Sequence, residues 1–213
     1  MTMPHDTTSP QPTFPRHGVT GLFLGNDSMI GKEIKLIGLS GAIGAGKSTV
    51  AQLLKNSYGF SETTFKEDMV CCLAYIFEVD MDIFNDRALK EKPHDDLLGR
   101  SPREVMQSFG TEWGRKLIHP DIWVKRVKNL IGHYPRLVLS DVRFDNEAQM
   151  IKRKGGVIWH IERKNNPFVV NTGHESEHGI DDRFIDQIIC NDRDMDQLRA
   201  EVAGAMAGLT GRG

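Results

Sequence analysis

A short apolar run, Lys35-Leu36-Ile37-Gly38-Leu39, enters a glycine turn and leaves as an amphipathic helix carrying Val50, Leu53 and Leu54. Between them Gly41, Gly46, Lys47 and Ser48 satisfy G-x-x-x-x-G-K-[ST]. That spacing wraps backbone N–H groups around a phosphate chain and sets a helix N-terminus against its negative charge. Lys47 would reach the β/γ-phosphates and the Ser48 hydroxyl would hold Mg²⁺, with Gly44, Ala45, Gly46 and Thr49 completing the loop. A nucleotide ligand follows. A strand, a phosphate loop and a helix in that order also commit the chain to an α/β architecture.

The rest of the sequence repeats the pattern. Residues 1–31 are rich in Pro, Thr, Ser and Gly and read as a mobile tail, so the expected domain runs from 32 to 213. Phe60–Phe65 reads as a second strand, and Met69, Val70, Leu73, Ile76 and Phe77 mark a helix. Asp80–Leu98 is charged and irregular; Asp80, Asp82, Asp86 and Glu91 approach calcium-loop spacing, but Phe84 and Asn85 occupy positions that need an oxygen ligand and a glycine. Ser101-Pro102-Arg103-Glu104 predicts a capped helix start carrying Val105, Met106 and Phe109 inward, with Gly110-Thr111 at its end. Arg136–Ser140 is a buried-type strand tipped by Asp141. Asp145 is placed to cap a helix that stops at Gly155-Gly156, and Val157–Ile161 is the next strand. Arg163–Asp182 is a long polar loop, expected to act as a lid. Gln187–Cys190 is the last strand, and Asp194 with Gln197 opens the terminal helix. Alternating β and α elements imply a mainly parallel five-stranded sheet flanked by helices.

Composition narrows the partners. Twenty-seven basic and 29 acidic residues leave a net charge of −2, so no global field favours a nucleic acid or an anionic membrane. Three cysteines, two of them adjacent, give neither a disulfide framework nor a C-x-x-C metal spacing, which suits a reducing cytoplasm. Local basic residues must then serve local anions.

A phosphate loop alone does not separate a kinase from a hydrolysing switch. The discriminator is a second anion site, and the middle third offers Arg103, Arg115, Asp141 and Arg143 at element ends. Arginine forks suit a monophosphate, since each can bond two oxygens and offset charge that would repel a γ-phosphoryl group.

Ser101-Pro102-Arg103 with Met106-Gln107, then Phe109-Gly110-Thr111-Glu112, Arg115, Asp121-Ile122-Trp123-Val124, and Asp141-Val142-Arg143-Phe144 with Asn146-Glu147-Ala148 together resemble the deoxynucleoside monophosphate kinases of tailed bacteriophages. Gly155-Gly156, Ile161-Glu162-Arg163 and His174-Glu175-Ser176-Glu177 continue the likeness, which spans about Ile34 to Leu209. The resemblance implies a P-loop nucleotide-kinase fold, ATP and Mg²⁺, and a deoxynucleoside monophosphate (dNMP) acceptor. It implies that Arg103, Gly110, Thr111, Trp123, Asp141, Arg143 and Glu147 line the monophosphate pocket, with Ser176 and Glu177 on a closing segment and Lys47, Asp141 and Arg143 at the transfer itself. Trp123 reads equally as a base platform or a core residue, and Glu147 as a group that orients Arg143. One departure stands out: Val70 occupies the helix-entry position where the family often carries lysine, and Lys66 is the nearest substitute.

Two rivals share the phosphate loop. IGLSGAIGAGKSTVA is similar to dephospho-coenzyme A kinases, though that family's acidic signature after the second strand has only Glu67 and Asp68 as counterparts. An ATP-driven switch or packaging accessory would need no small-molecule acceptor. Whether two copies pair as a homodimer the sequence leaves open.

Overall fold

The computed structural model describes residues 36–86, 88–166 and 178–210. The expected N-terminal tail and the middle of the expected lid, with His174, Ser176 and Glu177, lie outside the described residues.

Among the described residues, five strands form an all-parallel sheet in the order β2-β3-β1-β4-β5. The central strand β1 (Leu36–Ser40) is buried at every position, as a strand covered on both faces must be. It pairs with β3 (Leu137–Leu139) from Leu36↔Leu137 to Gly38↔Leu139. On its other side it pairs with β4 (Val157–Glu162) from Ile37↔Val157 to Ser40↔His160. Outermost are β2 (Ser61–Thr63), beside β3, and β5 (Gln187–Cys190), beside β4.

Alternation along the strands divides the core in two. Ile37, Leu39, Val138, Trp159 and Ile189 pack with residues of α1 (Lys47–Tyr58) and α7 (Met195–Thr210). Leu36, Leu137, Leu139 and Ile158 pack with α5 (Ile122–Leu130) and α6 (Asp145–Arg153). A third apolar cluster joins α2 (Glu67–Phe77), α3 (Asp82–Asn85) and α4 (Pro102–Gln107). No helix among the described residues is long and apolar enough to cross a membrane.

The predicted caps at Ser101 and Asp194 are present: Ser101 Oγ accepts from Glu104 N, Glu104 bonds back to Ser101 N, and Asp194 Oδ1 accepts from Gln197 N at 2.9 Å. Three boundaries differ from expectation. Strand β2 is shorter than 60–65 because Phe60 N closes the end of α1 on Leu54 O and Phe65 N is drawn to Asp141. Helix α6 is started by Glu147, which folds back onto the N–H groups of Arg143 and Phe144, while Asp145 accepts from Asp181 N. The helix begun at Pro102 does not stop at Gly110 but passes into a π-helical stretch, Ser108–Ile118.

The π register has a packing cause. Trp123 Nε1 donates to Gly110 O at 2.9 Å, and its ring lies so close to Gly114 that an added Cβ there would sit 2.8 Å from it. Wide turns of this kind recur at functional sites. Here the stretch turns Thr111 and Arg115 into the interior.

Candidate active site

Strand β1 delivers the chain into the phosphate loop, and α1 begins at Lys47. Gly46 holds φ +110°, where an L side chain is strained, and a Cβ there would come within 2.2 Å of Asn191 Nδ2. That amide donates to Ala45 O at 2.7 Å, and Asn166 Nδ2 donates to Ile43 O, also at 2.7 Å. Asparagines beyond the ends of β4 and β5 thus fix the loop from outside. We expect Asn191→Ala to raise the ATP KM by roughly 5-fold, the value of about one net hydrogen bond, with the acceptor KM unchanged; steady-state kinetics with either substrate varied checks it.

Lys47 Nζ lies along the same loop and donates to Gly41 O at 2.6 Å and Ala42 O at 2.9 Å. Burial first and Arg143 second bring its pKa down to about 8, with Asp141 acting the other way. Beneath it, Ser40 Oγ and His160 Nδ1 meet at 3.0 Å across β1 and β4. Burial lowers the His160 pKa.

The neighbouring strand β3 ends in the second half of the site. Asp141 is buried, and its Oδ1 accepts from Phe65 N at 2.8 Å and its Oδ2 from Lys66 N at 3.2 Å. Val142 N donates to Leu39 O at 3.1 Å, so the Asp141–Arg143 turn is tied to β1 as well. Burial pushes the Asp141 carboxyl up, while the Phe65 N–H and then Arg143 pull it back. Glu147 organises the next shell: Oε2 accepts from Arg143 N at 2.8 Å and Phe144 N at 3.2 Å, and Oε1 accepts from Arg115 Nη2. Arg115 also donates to Pro120 O at 3.0 Å and stacks 3.9 Å over the Phe144 ring. Burial drives the Glu147 pKa up, and the Arg115 charge opposes it.

These elements enclose a pocket of about 650 Å³ including its open mouth. Arg103, Gly110, Thr111, Trp123, Asp141, Arg143 and Glu147 all line it; Ser176 and Glu177 lie outside the described residues. Trp123 packs against two apolar clusters and also lines the pocket. Lys66 lines the pocket where the family lysine is missing, and Val70 is buried in α2. Arg115, expected as an anion-binding arginine, is engaged by Glu147 instead.

The pocket meets the phosphate loop at Arg143; burial first, then the Arg143 charge, lowers the Lys47 pKa, and burial lowers that of Lys66 with Asp141 opposing and Arg143 adding to it. Among the described residues no three His, Cys, Asp or Glu side chains cluster as a metal cage. The oxygens at hand are the Ser48 hydroxyl at the start of α1 and the Asp141 carboxylate. Such a donor set fits a hard cation that keeps waters and phosphate oxygens as its other ligands.

Sequence reasoning missed Lys90, Gln107 and Phe144 in the lining, and Asn166 and Asn191 behind the loop. Gln107 and Phe144 stood inside motifs already singled out. Nothing local marks Lys90 in its charged segment, or the asparagines in their loops.

A family model described as deoxynucleotide monophosphate kinase matches residues 81–202. The chain is 35% identical over 143 residues to a protein of Acanthamoeba polyphaga mimivirus provisionally named a deoxynucleotide monophosphate kinase, covering 60% of this chain and 74% of that one. It is 30% identical over 110 residues to the deoxynucleoside-5'-monophosphate kinase of Escherichia phage T5, covering 48% of this chain and 44% of the T5 protein, less than half its length. Among solved structures, dephospho-CoA kinase from Campylobacter jejuni is similar at a TM-score of 0.44 and 15% identity, over 83% of this chain and 97% of that one. A likeness that shallow does not bear on activity.

Proposed function

The chain belongs to the deoxynucleotide monophosphate kinase family and is a deoxynucleoside monophosphate kinase, and we propose that its phosphate loop holds ATP while the pocket between β3, α4 and the π-helical stretch holds the acceptor. The observation that carries this assignment is electrostatic. Val142 N donates to Leu39 O at 3.1 Å, which ties the Arg143 turn after β3 to the strand that feeds the phosphate loop, and after burial the Arg143 charge lowers the Lys47 pKa, a pairing of cations that two juxtaposed phosphates would offset.

An acceptor phosphate is already ionised, so no strong general base is required. In the proposed mechanism the protein aligns an acceptor oxygen with the γ-phosphorus and screens the charge between them. Lys47 neutralises the β/γ-phosphates, and Arg143 spans acceptor and transferring phosphoryl group. Trp123 offers a flat apolar surface to the base or sugar. Arg103, held by Glu91 through Nε at 2.6 Å, approaches from α4. Ser48 and Asp141 would hold Mg²⁺, which would offset the negative charge of the ATP phosphates. Asp141 also keeps the Phe65-Lys66 turn and the Arg143 turn together. Ser176 and Glu177 are proposed to close over the acceptor. The setting proposed is the cytoplasm, consistent with three free thiols at Cys71, Cys72 and Cys190.

A coupled assay of ADP release tests the reading, run with each dNMP, with dephospho-coenzyme A and with no acceptor. Turnover should require a dNMP; equal turnover without one would overturn it. Arg143→Ala should lower kcat/KM for the acceptor on the order of 10²-fold, the scale of losing one charge-stabilising donor, while ATP affinity stays within about 2-fold. Unchanged acceptor kinetics would remove Arg143 from the mechanism.

A further inference from the structure

Besides Arg115 of the π-helical stretch, which Glu147 engages, cations from four separate pieces of chain line the acceptor pocket: Lys66 before α2, Lys90 between α3 and α4, Arg103 on α4 and Arg143 after β3. Two have neighbours that satisfy them in part. Lys66 Nζ donates to Asn85 Oδ1 at 3.1 Å, and Arg103 Nη2 lies 2.5 Å from Glu91 Oε1. Lys90 is half-buried, and among the described residues its ammonium has no hydrogen-bond or ion-pair partner. Its backbone is nevertheless fixed, since Arg103 N donates to Lys90 O at 3.0 Å. With no protein acceptor, that ammonium keeps its donors for solvent or for an anionic ligand in the pocket.

The charge pattern says which ligand. Glu147 neutralises Arg115 and Glu91 neutralises Arg103. The lining then leaves Lys66, Lys90 and Arg143 against Asp141 alone, so with Lys90 charged the excess matches a doubly ionised phosphate.

We propose that Lys90 is a further acceptor-binding residue, its ammonium gripping the phosphate of the bound dNMP together with Arg143. The assignment rests on the kinase reading above and adds a ligand to that site. It also carries a proton linkage. Facing Lys90 are Lys66, Arg143 and Arg103 from the three packed elements, with Glu91 beside it; burial, then Lys66, bring its pKa down to about 7, and Glu91 opposes. The competent form is protonated, so it is populated below that pKa and lost above it. A bound phosphate restores the charge, and the free protein must therefore take up a proton on binding dNMP at alkaline pH. The nucleotide itself contributes little there, since a phosphate monoester loses its second proton near pH 6 or so.

The test is calorimetric titration of the full chain with each of the four common dNMPs, in buffers of different ionisation enthalpy, near pH 6 and near pH 8. For wild type we expect uptake of about one proton per dNMP near pH 8 and much less near pH 6. Lys90→Met should bind dNMP roughly 10- to 100-fold more weakly near pH 6, the range for a hydrogen bond to a charged group, with ATP affinity retained. Lys90→Arg should keep acceptor affinity yet lose the uptake and the alkaline fall in affinity, because guanidinium does not titrate. That last result also separates Lys90 from Lys47, which stays in place in the variant. Lys90→Met binding as tightly as wild type, or Lys90→Arg taking up the wild-type proton, would overturn the inference alone. Wild type that binds no dNMP would instead bring down the kinase reading beneath it.

Discussion

Lys47→Ala is expected to abolish phosphoryl transfer to every acceptor, with kcat reduced by about 10³-fold or more. Removing a single preorganised donor at a developing charge costs roughly 10²–10³, and Lys47 supplies a full charge as well as a donor. Its ammonium lies within 2.6 Å of Gly41 O on a loop fixed from outside by Asn166 and Asn191, so the substitution removes the charge and leaves the loop's shape. Thermal unfolding should shift little. The measurement is ADP release at saturating ATP and dNMP; residual activity above about a tenth of wild type would mean that the loop does not hold the donor phosphates. The same group sets a pH limit in the wild type. The phosphate-binding form of Lys47 is protonated and is lost as pH rises past about 8, so ATP affinity should decline above that pH and be steady below it.

The second large effect concerns stability. Arg115 and Glu147 are 9% and 1% exposed, and Glu147 carries the N–H groups of Arg143 and Phe144 along with the Arg115 guanidinium. Breaking a buried pair from one side typically costs about 3–5 kcal/mol, because the remaining charge has lost its partner. Arg115→Met should therefore lower stability by about that much in a urea titration. Glu147→Gln should do the same, and should also weaken acceptor use because the Arg143 turn loses its anchor. The double variant Arg115→Met/Glu147→Gln should cost clearly less than the two singles added together. Additive losses would show that the pair does not act as a unit. The two classes of variant are thus distinguishable: Lys47→Ala is a folded, inactive protein, and Arg115→Met an unstable one.

What could be read in the sequence was mostly local. The phosphate loop is a contiguous motif with one backbone solution, and Ser101 and Asp194 cap helices through residues three positions away. Buried strands such as Leu137–Leu139 declare themselves by apolar runs. The pocket residues near Asp141 and Arg103 were legible through family likeness, because their spacing within each motif is preserved. The boundaries that differed depend on partners far along the chain. Phe65 leaves its strand for a carboxylate 76 residues away, and the π-helical stretch exists because Trp123 claims the Gly110 carbonyl. Arg115 looked like an anion ligand until Glu147, 32 residues on, occupied it. Nothing in its own segment marks Lys90, since the cations facing it come from the turn before α2, from α4 and from the turn after β3.

The strand order also dictates when this protein can begin to work. Among the described residues β1 and β2 never touch as strands; each waits for β3, and β1 also needs β4. A growing chain that has released the loop, α1 and β2 therefore has a complete ATP-binding sequence and no sheet to hang it on. Leu36 finds its neighbour only when Leu137 is free, and β5 must follow before Asn191 can brace the loop. Pairings this distant are slow to form because loop closure precedes any gain in contacts. The acceptor lining is complete in sequence once β3 and α6 have emerged, whereas the donor loop waits for β5 and its Asn191 brace, so a partly synthesised chain has no interval in which it holds a braced ATP loop without also having the whole acceptor lining.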